Sequence, residues 1–204
     1  RVMPLRSKTR VFLAEGAPHW DSKFLAQLLR EQPHIDLRSV HRLSDERYFK
    51  ITSAQAAPEE SADDVFPGTE AELAAYDLVV FGKGADHFLT PQRAEALRAF
   101  VRDRGGAVFF SRGKAYPGKF GLLEPLEPVV WAEGRSGDFA FSPDVEGAAA
   151  GLFGEALPAV DSPLWASLPA LRDAQRIDYV RPFTRVMARG KSAALAGTDA
   201  GFPL

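Results

Sequence analysis

The sequence predicts an α/β protein: an open, mostly parallel sheet with helices on both faces, and extra strands and loops in the C-terminal half. Three observations predict it. Short apolar runs alternate with helical patterns through the first half, the order that a parallel sheet with crossover helices requires. The run Asp77-Leu78-Val79-Val80-Phe81-Gly82 is continuously apolar between its ends, as in a strand buried on both faces. Thr90-Pro91, followed by Ala94, Leu97, Phe100 and Val101 and stopped by Gly105-Gly106, supplies a cap, a first-turn proline and an apolar helical stripe.

The elements follow in order. Residues 10–14 form a short apolar run that reads as a strand, and Glu15-Gly16-Ala17-Pro18 reads as the loop after it. A helix comes next, with Phe24, Leu25, Leu28 and Leu29 on one face, Asp21 or Ser22 as cap and Pro33 beyond its end. Ile35, Leu37 and Val40 predict a second strand, in which the step from Leu37 to Val40 breaks strict alternation. Residues 44–68 are rich in Ala, Pro, Ser and acidic side chains without a period, and read as a long loop. Thr69 with Glu72 forms a capping-box pattern for a short helix ending near Tyr76. Residues 107–110 supply another buried strand, which runs into the tight turn Ser111-Arg112-Gly113. From about residue 114 to 204, apolar runs at 129–131, 139–141, 177–180, 184–187 and 193–196 predict further strands that elaborate the sheet edge.

Composition narrows the function. The 204 residues read as a single domain, 46% apolar and 11% aromatic, enough to bury a substantial core. Twenty-five basic and 27 acidic residues are interspersed, so no broad positive field is available for a phosphate backbone and nucleic acid is not an expected partner. Cysteine is absent, which removes disulfides, thiolate metal sites and thiol nucleophiles together. No apolar run approaches the roughly 18 residues of a membrane span. The first residues, Arg1-Val2-Met3-Pro4-Leu5-Arg6, lack the apolar core of a signal peptide. With no initiator methionine and an end at Gly201-Phe202-Pro203-Leu204, the chain reads as a piece excised from a larger protein.

Several of these segments carry a family resemblance. Arg10-Val11-Phe12-Leu13-Ala14-Glu15-Gly16-Ala17-Pro18-His19-Trp20, Lys23-Phe24-Leu25, Phe66-Pro67, Tyr76-Asp77-Leu78-Val79-Val80-Phe81-Gly82 and Phe100-Val101-Arg102-Asp103-Arg104-Gly105-Gly106 resemble the class I glutamine amidotransferase-like domain of large bacterial membrane proteins that also carry a von Willebrand factor A-type domain. The likeness runs over about residues 10 to 200 and is weaker after Gly113. It implies a flavodoxin-like sheet in a soluble domain tethered by flanking membrane segments, on the periplasmic or extracytoplasmic side. It also implies that Ser111 stands where the amidotransferase cysteine would be, Gly113 at the elbow glycine, and Glu15-Gly16 in the loop after the first strand. Class I enzymes place their histidine after the nucleophile, whereas His19, His34, His41 and His87 all precede Ser111.

The expected function is therefore a non-catalytic interaction or ligand-sensing domain, with other domains of the parent chain, a protein partner or a small molecule as its ligand, and no cofactor or metal. Two alternatives have residues of their own. A serine-dependent hydrolase would use Ser111 with His87, the histidine in the loop after the central strand, because a serine hydroxyl needs a neighbouring base. A small-molecule module would use the strand-end loops at Glu15, Gly16, Gly82, Lys83, Gly84 and Gly113, where Gly82-Lys83-Gly84 and Arg112-Gly113-Lys114 pair glycines with cations able to hold a phosphate or carboxylate. Glu15, His19 and Asp21 have donor atoms suited to a divalent metal. Their structural alternative has Glu15 accepting backbone hydrogen bonds, Pro18 directing the loop and Trp20 packing under the helix.

Overall fold

The computed structural model describes residues 8–17, 19–54, 59–60, 63–153, 162–192 and 202–203. Its contacts cluster into two compact units, residues 1–126 and 127–204. The first unit is a mixed α/β layer with a central, mostly parallel sheet flanked by helices. Six strands stand in the order β4-β3-β2-β1-β5-β6, with β1 (Thr9–Glu15), β2 (Ile35–Arg42), β5 (Leu78–Phe81) and β6 (Ala107–Phe110) parallel, and β3 (Tyr48–Thr52) and β4 (Glu59–Glu60) antiparallel at one edge.

Alternation along β1 divides the core. Val11 and Leu13 join Ala26, Leu37 and Val80 on the face covered by α1 (Trp20–Glu31). Phe12 and Ala14 join Val79, Phe81, Leu97 and Phe100 on the face covered by α2 (Glu70–Leu73) and α3 (Pro91–Arg104). The caps of α2 and α3 are those the sequence predicts: Thr69 and Glu72 complete a capping box, Thr90 caps α3 ahead of Pro91, and Gly105 closes it at a left-handed φ of 67°.

Several expectations are corrected. Residues 107–110 form a strand but not a buried one, since Ala107 and Phe109 are exposed and Val108 and Phe110 only half-buried, and the strands after Glu127 pair in two sheets of their own rather than extending the edge of the first. Residues 44–68 hold β3 and β4 rather than a continuous loop: Lys50 and Ile51 are buried, and residues 48–52 pair with β2. A lysine at a buried position hides the strand from hydropathy, and its ammonium reaches the Asp63 carbonyl. In α1 the inward face is Ser22, Leu25, Ala26 and Leu29, while Phe24 and Leu28 point outward, and the N-cap is His19 rather than Asp21 or Ser22. The run at 184–187 is not a strand, since the strand in that region, β10, is Ala188–Ser192. The strand expected at 193–196 and the packing of Trp20 lie outside what is described.

In β2 the broken alternation has a simple cause. Leu37, Ser39 and His41 share one face while Val40 takes the other, so two buried polar residues occupy apolar-period positions. The second unit contains β7 (Val129–Arg135) paired antiparallel with β9 (Gln175–Val180), and a sheet ordered β11-β10-β8 from Phe202–Pro203, Ala188–Ser192 and Phe139–Pro143. Short helices α4 (Val145–Ala149) and α5 (Pro163–Ser167) accompany them. Phe141, Phe153 and Trp165 pack edge to face or tilted with centroids 5.5 to 5.8 Å apart. The Asp144 carboxylate accepts the Glu146 amide at the start of α4 and also the Arg189 guanidinium of β10.

Candidate functional site at the strand ends

In an open parallel sheet, the loops after the strands converge at their carboxyl ends, the usual ligand edge. Here the turns after β1, β5 and β6 meet on one buried carboxylate. Glu15, the last residue of β1, is 1% exposed. It accepts the Lys83 amide at 2.8 Å, and its other oxygen takes the Arg112 guanidinium. The Ala17 amide, which donates to the Lys83 carbonyl at 3.2 Å, lies close enough to favour the charged carboxylate as well. Burial pushes the Glu15 carboxyl up, and Arg112, the two backbone amides and nearby His19 oppose that rise.

The glycines fit around this carboxylate. A Cβ on Gly82 would overlap the Glu15 carboxylate, and one on Gly16 would overlap the Gly84 carbonyl, so the loops after β1 and β5 touch backbone to backbone. Gly84 also has a φ of 70°, a conformation open to glycine at little cost. The Lys83 ammonium reaches across to the carbonyls of Arg112 at 2.9 Å and Lys114 at 2.7 Å. The Lys114 ammonium meets the Gly118 carbonyl and lies over the Tyr116 ring. The cations that could cradle an anion are thus each placed against the protein's own acceptors, with Gly113 at a φ of 66° carrying the turn between them. Arg112 Nη1 is a buried donor without a hydrogen-bond partner among the described residues.

His41 completes the cluster. It pairs in register with Glu15 across β1 and β2, and its Nε2 lies 3.1 Å from Ser39 Oγ. Burial, assisted by the Arg112 charge, lowers its pKa to about 4. It is therefore a neutral imidazole at neutral pH. Sequence reasoning passed over His41 because the signal it leaves, a histidine at an inward strand position, is legible only once the register with Glu15 is known.

Ser111 and His87 are not joined. The Ser111 hydroxyl donates to the Phe81 carbonyl at 3.2 Å, and the Ser111 amide donates to the same oxygen at 3.0 Å. His87 is exposed in the 3-10 turn Ala85–His87, with its Nε2 3.4 Å from an Arg42 nitrogen. His19 instead bonds Asp21 through Nδ1, and Asp21 stands 3.9 Å from Arg112 Nε. The carboxylates and imidazole named for a metal are thus directed at one another or at Arg112. Among the described residues no group of three or more His, Asp or Glu side chains is arranged to hold a metal ion. No helix among them is long and apolar enough to cross a membrane.

Comparison with known proteins adds no identity at this point: no family model, curated protein or solved structure matches the chain.

Proposed function

We propose that the chain is a non-catalytic interaction or ligand-sensing domain, built on a flavodoxin-like sheet of the class I glutamine amidotransferase type, from a membrane-anchored bacterial protein. The observation that carries the non-catalytic reading is the state of Ser111. Its hydroxyl is spent on a main-chain carbonyl, and the base a serine nucleophile needs is not within hydrogen-bond reach among the described residues. The parallel order β2-β1-β5-β6, with helices on both faces and a tight turn after β6, supports the fold assignment.

At the strand ends, the groups that would serve chemistry serve cohesion. Glu15, Lys83 and Arg112 tie three loops together, so the edge is filled by its own side chains. Contact with a partner is then better served by exposed apolar residues, which include Phe24, Leu28 and Phe109 in the first unit and Phe183 in the second. Attachment to a membrane through flanking segments, on the periplasmic or extracytoplasmic side, belongs to the same proposal and rests on the sequence resemblance alone.

The test is enzymatic. The purified chain is assayed for hydrolysis of glutamine and of an activated ester, beside Ser111→Ala. Turnover at the background rate for both proteins is expected. Activity that Ser111→Ala abolishes overturns the proposal in favour of the serine hydrolase.

A further inference from the structure

At the amino end of the first unit's sheet, opposite the Glu15 cluster, lies a hollow of about 200 Å³. It is placed where β1 and β5 begin and where α3 turns into β6. Its charged lining is Arg10, Asp77 and Arg104, two guanidiniums against one carboxylate. Asp77 is fully engaged within this group. Its Oδ2 accepts the Arg10 amide at 2.8 Å and Arg10 Nε at 3.3 Å, and its Oδ1 accepts Arg10 Nη2 at 2.9 Å. These bonds hold the Asp77 carboxyl below its ordinary pKa, so it stays an anion matched to Arg10.

What remains in the lining is a set of donors. Arg10 Nη1, the Arg104 guanidinium and the Tyr76 hydroxyl have no hydrogen-bond or ion-pair partner among the described residues. Neighbouring acids do not answer the extra charge: Asp103 is paired with Arg102, and Asp36, which stands beside Arg10 in register, is not part of the lining. The rest of the wall is apolar. The Tyr76 ring packs edge-on against Phe12, and Phe100, 2% exposed, takes with its ring the space that a Cβ on Gly106 would need. A Cβ on Gly105 would meet nothing within 4 Å, so the turn after α3 leaves the hollow open.

Size and charge select the ligand. At roughly 30 Å³ per water the hollow has room for about seven waters, below the roughly 300–1,000 Å³ of sites that take drug-sized molecules. A nucleotide or a sugar phosphate is therefore too large. One unanswered guanidinium calls for one negative charge, and a planar carboxylate matches the arginine fork with two parallel N–H···O bonds. A short flat apolar body matches the aromatic wall. We infer that this hollow binds a small monocarboxylate with a flat apolar body, its carboxylate on Arg104 and its body against Tyr76 and Phe100. The inference gives the ligand-sensing reading a site and a ligand class, and rests on that reading.

The experiment uses the whole 204-residue chain, isotope-labelled for amide spectra and titrated with benzoate, benzamide and inorganic phosphate. Benzoate is expected to shift the Gly105 and Gly106 amides saturably at millimolar concentrations. Benzamide, which keeps the ring without the charge, and phosphate, which keeps the charge without the ring, should each bind at least about tenfold more weakly. Arg104→Gln, at an exposed position, is expected to weaken benzoate at least about tenfold, and Tyr76→Phe, which keeps the ring against Phe12, several-fold. Thermal unfolding shows whether each variant is folded. The inference is overturned by no saturable shift at those amides, by benzamide or phosphate binding as well as benzoate, or by shifts centred on Lys83 and Gly113 at the other end of the sheet. It is equally overturned if Arg104→Gln binds benzoate as the parent does, the result expected of an arginine that serves only the α3 dipole. Ser111-dependent hydrolysis would remove the functional proposal without touching this result, so the two can fail separately.

Discussion

Up to Leu126 the chain closes two apolar clusters around one six-stranded sheet, whereas from Glu127 onward it forms two small antiparallel sheets whose strands keep most side chains partly exposed. The largest fully buried side chains, among them Phe12, Phe81, Phe88 and Phe100, all lie in the first unit. In the second, the aromatic group Phe141, Phe153 and Trp165 is only partly buried. The difference teaches where a buried ion pair can be held. A parallel sheet with both faces covered provides the dry surroundings in which Glu15 and Arg112 form a buried ion pair beside His41, whereas the second unit has Arg172 with Asp138 at the surface and Arg189 with Asp144 half-buried, and its buried Glu127 carboxylate accepts the Trp131 indole N–H.

The contrast can be broken most directly by truncation. Phe12→Ala is expected to cost about 3–5 kcal/mol, and Phe141→Ala about 1–3 kcal/mol because less area is lost. Urea denaturation reads both, and equal costs would erase the distinction between the units. Glu15→Ala should cost a comparable 3–5 kcal/mol or about that, because it leaves Arg112 buried without its carboxylate. Replacing both partners, Glu15→Gln with Arg112→Met, should recover a large part of that loss. If the double variant is as unstable as the single one, the pair is not the element that joins the loops.

A smaller effect sharpens the electrostatic half of the comparison. With a folded pKa of about 4 against 6.5 for the free side chain, His41 stays neutral while the unfolded chain takes up a proton. Stability is therefore lost as pH falls from about 6.5 toward 4, by about 3 kcal/mol at most. Glu15, whose carboxyl is raised, acts in the opposite sense: its contribution is fully present below its unfolded pKa and is lost as pH rises through its folded pKa. The difference between the parent and His41→Gln isolates the histidine, and the variant's stability curve should be flatter over that interval. The smallest effect belongs to Ser111→Ala, which removes one hydrogen bond to the Phe81 carbonyl and should change stability by about 1 kcal/mol or less.

Much of the first unit was legible because its signals are local. Thr69 with Glu72, Thr90-Pro91 and Gly105 mark helix ends through their own neighbours, and the run at 78–81 is apolar enough to announce a buried strand. The strand at Tyr48–Thr52 was hidden because Lys50 is buried with its ammonium on a distant carbonyl, which no periodicity reports. At the strand ends, Glu15, Gly82, Lys83 and Gly84 stood out as loop residues with donors and acceptors. That they meet one another, and meet Arg112 from 97 residues away, depends on strand order. His41 was missed for the same reason. In the second unit, β10 was displaced because Ala188, Arg189, Gly190 and Lys191 have little strand propensity, and their place is set by pairing with β8.

The non-catalytic proposal turns on Ser111 being a turn residue held to a carbonyl rather than an activated nucleophile. A fluorophosphonate reagent, which phosphonylates only activated serine hydroxyls at useful rates, with fluoride as the leaving group, tests it without assuming a substrate. After incubation with the folded chain, intact-mass and peptide spectra should show no adduct at Ser111 beyond that of a heat-denatured control. A stoichiometric adduct at Ser111, formed only by the folded chain, would contradict the account.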